Sequence, residues 1–453
     1  MSLLRSWLQD RLLGRVLKNS SYLFASYALG AVLTILTARL LGAASFGVLG
    51  TITVFASNIN RLFSFRMGEM VVKYMGESLA NDDRLRAAAA VKAGMLVEAG
   101  TSLVAFAALA ALSPLGAQYI VRDASTTPLF LLYGFSIIAS IVHESSTGVL
   151  QVTNHYRSQA LINFIQTVLV AVLLGLAAVY RADLQTVLWI YLLGKIILGV
   201  GPAVVAFYWL PRTLGRDWWR APLSVLPPWR EVARFSLNTN FNGTITMVAR
   251  DSEVPIVHFF FGSEAAGYFK MALALINLVV MPINPFISTT YPEITRTFAT
   301  REWKRLRLLL SRVTLISAGW TALVVAGLVL GYRVLFEPVT LFGRTFDLLV
   351  EYAPAYPALM VMLVGYGVAN IFFWDRKLLL AQGHAGYPFR VSFWAMLVKI
   401  ALILVLLPRT GYLVEAALLS GYFVVTVGLN VWRGLHEVSR AEELVSLREP
   451  VTV

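Results

Sequence analysis

Apolar stretches long enough to cross about 30 Å of hydrocarbon recur about twelve times along the chain. They fall near 19–41, 46–66, 86–112, 127–150, 158–180, 184–210, 230–261, 266–292, 306–330, 355–382, 388–408 and 411–433. The connections between them are short, so the pattern predicts an all-α integral membrane protein of about twelve transmembrane helices. Ahead of the first span, Leu4, Trp7, Leu8 and Leu12 share one helix face while Arg5, Arg11, Arg15 and Lys18 lie elsewhere. That arrangement predicts an interfacial amphipathic helix over 1–18 rather than a cleaved signal segment.

The pattern also repeats itself. Ala38-Arg39-Leu40-Leu41-Gly42 leads through Ala43-Ala44-Ser45-Phe46 to Gly47, and 220 residues later Phe259-Phe260-Phe261-Gly262 leads through Ser263-Glu264-Ala265-Ala266 to Gly267. Each copy reads as a membrane-length helix, a very short turn and a second such helix. The chain therefore divides into two similar six-helix lobes, 19–210 and 230–433, with a basic, aromatic and proline-rich linker over 211–229 and a tail over 434–453. Parallel repeats of this kind recur among alternating-access transporters, whose substrate site lies between the halves.

Composition agrees with the pattern: 58% of the 453 residues are hydrophobic and 14% charged. The sequence has no cysteine, which removes disulfides, thiol catalysis and thiolate metal sites together. Lys and Arg concentrate on one side of the predicted membrane, with Arg84, Arg86, Arg212, Arg216, Arg220, Arg301, Lys304 and Arg305 among them. The other side keeps Arg122, Arg181, Arg333, Arg344 and Arg409. By the positive-inside rule this is a multi-pass protein of the cell (inner) membrane with both termini cytoplasmic and the turns at Gly42 and Gly262 facing outward. The formal net charge of +13 is then a topological bias with affinity for anionic membrane lipids, not a sign of nucleic-acid binding. No Gly-rich phosphate loop ending in Lys-Ser/Thr is present, which argues against an ATP-driven pump. No cofactor is expected.

Ionisable and amide side chains at membrane depth are the candidate chemistry. After Gly267, Lys270, Asn277, Asn284 and Ser288 lie on one helical stripe, and the equivalent stripe after Gly47 carries Ser57, Arg61 and Ser64. Before Gly262, Asn238, Asn242, Thr246, Arg250 and Glu253 share a face. Glu98, Lys195, Arg250 and Lys399 fall near the middles of their helices, where a charge needs a partner or water. Lys92, Asp375, Arg376 and Lys377 lie near inner helix ends, where side chains reach for the interface, and Arg39 does the same at the outer end. His143, His155, His258 and His384 have no metal-ligand spacing and read as ordinary polar contacts.

The run from Ala38 to Gly47, the Phe235-Ser236-Leu237 opening of the seventh helix, Glu253 nine residues before Gly262, and the stretch from Gly383 through Lys399 to Leu407 together resemble the polysaccharide (O-antigen, Wzx-type) flippases of the multidrug/oligosaccharidyl-lipid/polysaccharide exporter superfamily. The family commonly has Asp before the second turn, whereas this chain offers Asp251 and Glu253. The resemblance implies two six-helix lobes forming a V around a central cavity. It implies a polyprenyl-pyrophosphate-linked glycan as substrate, flipped from the inner to the outer leaflet, and a polysaccharide polymerase as a partner. Fixed cations for the pyrophosphate would be Arg61, Arg250 and Lys270, with Lys195 and Lys399 as additions. Asn238, Asn242, Asn277 and Asn284 would meet sugar hydroxyls. A proton or sodium ion could drive the cycle through Glu98, Asp251 or Glu253. Two other readings are a cation-coupled multidrug exporter, whose organic cations a basic cavity would repel, and a membrane polymerase or glycosyltransferase, for which no catalytic cluster is visible on a loop.

Overall fold

Long apolar helices satisfy their own backbone polar groups, the condition a bilayer imposes, and they account for nearly all of the chain. The computed structural model describes residues 11–446 apart from 66, 227, 229, 232–239, 241–243, 246, 281–283, 342–343 and 385. Helix α1 (Arg11–Phe63) is interrupted at Gly42, whose φ of 71° and ψ of 169° are not helical. It is followed by α2 (Gly68–Ala80), α3 (Arg84–Leu115), α4 (Thr127–Ala139), α5 (His143–Val152), α6 (Tyr156–Val179) and α7 (Leu184–Leu214). Then come α8 (Glu253–Phe261), α9 (Ser263–Val280), α10 (Asn284–Ala299), α11 (Trp303–Leu330) and α12 (Tyr332–Phe336). A small hairpin of β1 (Val339–Leu341) and β2 (Arg344–Phe346), with Thr340 opposite Thr345, occupies the loop before α13 (Ala355–Ile371). The chain ends with α14 (Asp375–Ala381), α15 (Gly386–Leu406) and α16 (Tyr412–Ser446).

Among the described residues, nine helical stretches are long and apolar enough to cross a membrane. The difference from twelve has two sources. The spans expected at 19–41 and 46–66 are two helices that meet at the non-helical Gly42 with no intervening loop and so count as one stretch, and those at 230–261 and 266–292 lie partly outside the described residues. Side chains such as Leu103, Val172, Val204, Leu323 and Leu404 are exposed. In water so much open apolar surface would drive association, whereas along membrane-length helices it is the lipid side. The protein is an all-α, multi-pass membrane protein.

Two compact units divide the chain, one of residues 36–267 and one of the described residues outside that range. The first is centred on Val71 and Met75 of α2, Ala87–Ala89 of α3, Val149 of α5 and Leu210 of α7. The small alanines let α3 approach its neighbours closely, the packing device that replaces hydrophobic collapse inside a membrane. Ala221 of the linker joins this core, and Lys92 donates to its carbonyl at 3.1 Å, so Lys92 is engaged in the fold instead of reaching for the interface. Asp183 opens α7 as its N-cap, accepting from the backbone N–H and the hydroxyl of Thr186, bonds that hold its carboxyl below the usual range. The second unit is built around Ile294, Leu306, Leu310, Trp374, Leu378 and Val438.

Candidate functional site

The two turns of the internal repeat adopt the same backbone conformation. Gly262 has φ 86° and ψ −178°, close to Gly42, in a region that disfavours any side chain with a Cβ. The glycines five residues later make the repeat reciprocal. A Cβ on Gly47 would lie 2.0 Å from the Ser263 carbonyl, and one on Gly267 would lie 2.0 Å from the Ala43 carbonyl. Each helix start thus rests on the backbone of its repeat mate, an approach only glycine permits.

From this crossing the second half of α1 runs antiparallel to α8 and the turn before it. Thr51 and the buried His258 share a hydrogen bond of 2.6 Å through Nδ1, the ordinary polar contact expected of this histidine. Deeper in, Asn58 donates to the Ser252 hydroxyl at 3.0 Å. Deeper still, Arg61 meets Asp251 at 2.5 Å, and Arg250 reaches the other oxygen of the same carboxylate at 3.1 Å. Arg250 and Asp251 lie in a π turn over Met247–Asp251, the type of local widening that often marks functional sites. One carboxylate between two guanidiniums leaves a net positive cluster.

Arg61 also borders a polar cavity of about 320 Å³ within the same unit, lined by Asn60, Glu98, Gln159, Asn163 and Lys195 among others. Lys195 is placed there by glycines on α7. Gly194 packs on Gln166 and Val170, Gly199 on the Ala139 backbone and Gly201 on Ile162, which draws α7 against α4 and α6. The Lys195 ammonium has no hydrogen bond or ion pair among the described residues. Glu98 is engaged differently. It is 2% exposed, and its oxygens accept from the backbone N–H groups of Glu144 and Ser145, both at 2.8 Å, and from the Ser145 hydroxyl at 2.6 Å. It therefore caps α5 from across the bundle, where that helix restarts inside a membrane span after the turn at Ser140–Val142.

The other expected site residues separate. Lys270, half-buried, and the exposed Asn277 lie on α9, where the chain enters the second unit. Asn284 opens α10, its side chain outside the described residues, as are Asn238 and Asn242 altogether. Glu253 is 1% exposed in the first turn of α8. Lys399 is buried and pairs with Glu415 of α16 at 3.2 Å, so its charge is met inside the unit. Asp375 does not reach for the interface as expected: it is buried and accepts from Asn430 at 2.9 Å, because a short carboxylate six residues before the helix end cannot extend to water. The sequence reading missed Glu415 and Asn430. Their signal was a polar residue inside an apolar run, Leu413-Val414-Glu415-Ala416 and Gly428-Leu429-Asn430-Val431.

Residues 16–298 match the model of a family described as polysaccharide biosynthesis protein. The chain belongs to that family. It is 24% identical over 318 residues to the inner membrane protein YghQ of Escherichia coli (strain K12), covering 66% of this chain and 86% of YghQ. Its fold matches an inward-facing MATE-family multidrug resistance transporter of the MOP superfamily, with a TM-score of 0.69 over 92% of this chain and 95% of that one at 14% identity. It also matches a MOP-superfamily transporter from Pyrococcus furiosus described as having a binding pocket of reversed polarity, with a TM-score of 0.61 over 94% and 95% at 13% identity. Family and fold together show a multi-pass membrane protein of the polysaccharide biosynthesis family with the helical architecture of MOP-superfamily transporters.

Proposed function

We propose that this transporter flips a polyprenyl-pyrophosphate-linked oligosaccharide from the inner to the outer leaflet during surface polysaccharide assembly. The observation that carries the reading is the Lys195 ammonium, unpaired among the described residues at the mid-height of its helix and sharing a polar cavity with Arg61. A charge held at membrane depth without a protein partner is costly unless water or a ligand meets it. An anionic headgroup supplies that ligand. Glu98 does not cancel this polarity, because both of its oxygens are taken up by the start of α5. Gln159, Asn163 and Asn60 supply neutral donors and acceptors of the kind sugar hydroxyls need. At about 320 Å³ the cavity suits the pyrophosphate end of the substrate rather than the whole glycan. Fixed cations also disfavour the organic cations that multidrug exporters carry.

The test is complementation of a strain that lacks its own lipid-linked oligosaccharide flippase. Lys195→Ala should lower surface glycan at least about tenfold at unchanged protein abundance, and Lys195→Arg should restore most of it, because the charge matters more than its shape. Wild-type export by Lys195→Ala would remove the anion-capture argument.

A further inference from the structure

The outer surface of α7 fixes where the membrane ends. Trp189, Leu193, Ile196, Val200, Val204 and Phe207 recur at spacings of three and four and are all exposed, so they form a stripe that meets lipid. Trp189 stands at one end of it, and Tyr208 follows Phe207 at the other, a helical rise of about 28 Å that matches the hydrocarbon thickness. Aromatic side chains at both ends of such a stripe mark the two interfaces. Tyr208 therefore lies at the boundary on the linker side, and α7 continues past it to Leu214 among the headgroups.

The linker turns back onto this boundary. Trp218 packs on the Phe207 ring with centroids 6.0 Å apart, Ala221 is buried in the core of the first unit, and Lys92 donates to its carbonyl. The short helical turn Trp218–Arg220 is thereby held at the level of Phe207, and beside it Trp219 and Leu223 are 54% and 45% exposed. Cations gather at the same end of α7. The Arg212 guanidinium lies 3.6 Å from the centre of the Tyr208 ring and donates to the Tyr208 carbonyl at 2.6 Å, and the Arg220 guanidinium lies 4.7 Å from the centre of the Trp219 ring. Stacking fixes the plane of a guanidinium and leaves edge N–H groups for a second partner. Arg216, between them in sequence, is exposed. Asp217 stands 3.6 Å from Arg220, but both side chains are largely exposed, and a pair so open does not cancel the charge.

We infer that Arg212, Arg216 and Arg220, with Tyr208 and Trp219 beside them, form a binding site for an anionic phospholipid in the leaflet on the linker side, which the charge pattern expects to be the inner one. The lipid phosphate meets the guanidinium edges, a geometry for which Arg is better shaped than Lys, and the acyl chains lie along the α7 stripe. A net negative headgroup fits three cations, whereas a zwitterionic one brings its own ammonium to the same place. The transported lipid is served elsewhere, because Lys195 lies on another face of α7, toward the cavity. A bound phospholipid fastens the linker, the segment that joins the two repeats, to the end of α7.

The experiment titrates the full-length protein in neutral detergent with phosphatidylglycerol or, at equal mole fraction, phosphatidylcholine, and follows thermal unfolding by tryptophan fluorescence. Phosphatidylglycerol should raise the midpoint by about a few degrees and saturate, and phosphatidylcholine should not. The combined variant Arg212→Gln, Arg216→Gln and Arg220→Gln should need at least about tenfold more phosphatidylglycerol for the same rise. A matched variant, Lys304→Gln, Arg390→Gln and Arg440→Gln, loses the same charge elsewhere and should respond as the wild type does. Should the first variant fail to fold, Trp219 decides: the emission lost in Trp219→Phe should be quenched more by acyl-brominated phosphatidylglycerol than by brominated phosphatidylcholine. Equal responses to the two lipids, an equal loss in the matched variant, or equal quenching of Trp219 would each overturn the site. So would a midpoint rise with farnesyl pyrophosphate that the first variant loses, which would assign these cations to the transported lipid. No glycan export enters the assay, so its failure leaves the transport reading standing.

Discussion

At the scale of single residues, the charges inside the first unit sort by what meets them, and magnitudes decide what each removal does. Arg61 and Asp251 are 36% and 29% exposed, so solvent screens their pair and its net worth to stability is at most about 1 kcal/mol. Glu98 is the opposite case. Glu98→Ala would strand two backbone N–H groups and a hydroxyl away from water, each costing about 1–3 kcal/mol unless water replaces the acceptor. Glu98→Gln keeps one acceptor oxygen and removes the charge. Glu98→Ala should therefore cut folded abundance severalfold and lower the unfolding midpoint well below that of Glu98→Gln, as read by size-exclusion fluorescence and thermal melts. If the two variants melt together with the wild type, the capping role is wrong and the case for Glu98 as an ion-coupling group strengthens. Legibility divides along the same line. The mid-helix positions of Glu98 and Lys195 were visible in the sequence, because a charge in an apolar run stands out. The cap was not, since the break at Ser140–Val142 lies inside a stretch whose hydropathy reads as continuous. Asp375 was misplaced because Arg376 and Lys377 beside it made the whole triplet look interfacial.

At the scale of elements, the internal repeat was legible as spacing, Gly42 and Gly47 against Gly262 and Gly267, but its meaning is tertiary. The sequence cannot say that Gly47 meets the Ser263 carbonyl while Gly267 meets the Ala43 carbonyl, because that crossing depends on two helices 220 residues apart. The near neighbours in both cases are backbone atoms, which cannot rotate aside as a side chain would. A single methyl should therefore be enough: Gly47→Ala or Gly267→Ala should force the helices apart and lose most of the correctly folded protein. Gly100→Ala and Gly175→Ala provide the contrast, since nothing lies within 4 Å of a Cβ at either position. Those variants should match or slightly exceed wild-type stability through better helix propensity. Detergent-extracted yield and melting midpoint report the outcome. Normal folding of both crossing variants would mean that the reciprocal contact does not hold the repeats together.

At the scale of the whole molecule, the open question is which way the chain sits in the bilayer, and the charge pattern makes a definite statement. The positive-inside rule expects Arg84, Arg86, Arg212, Arg216 and Arg220 on one side together with Arg301, Lys304 and Arg305, and the connection carrying Arg122 on the other. Translocating each of these cations is unfavourable, so orientation follows the side that holds more of them. The anion-capture reading needs this orientation, because a lipid-linked glycan assembled at the inner face must enter from there and leave past the turns at Gly42 and Gly262. The chain has no cysteine, so single replacements report one position each without background. Ala44, in the turn after Gly42, is exposed, and Ser224, in the stretch after α7, is also exposed. In intact cells an impermeant maleimide should label Ala44→Cys readily and Ser224→Cys only after the membrane is permeabilised. Labelling of Ser224→Cys from outside, with Ala44→Cys protected, would invert the topology and place the glycine crossing at the cytoplasmic face. The direction of transport proposed for the cavity of Lys195 and Arg61 would then have to be reversed as well.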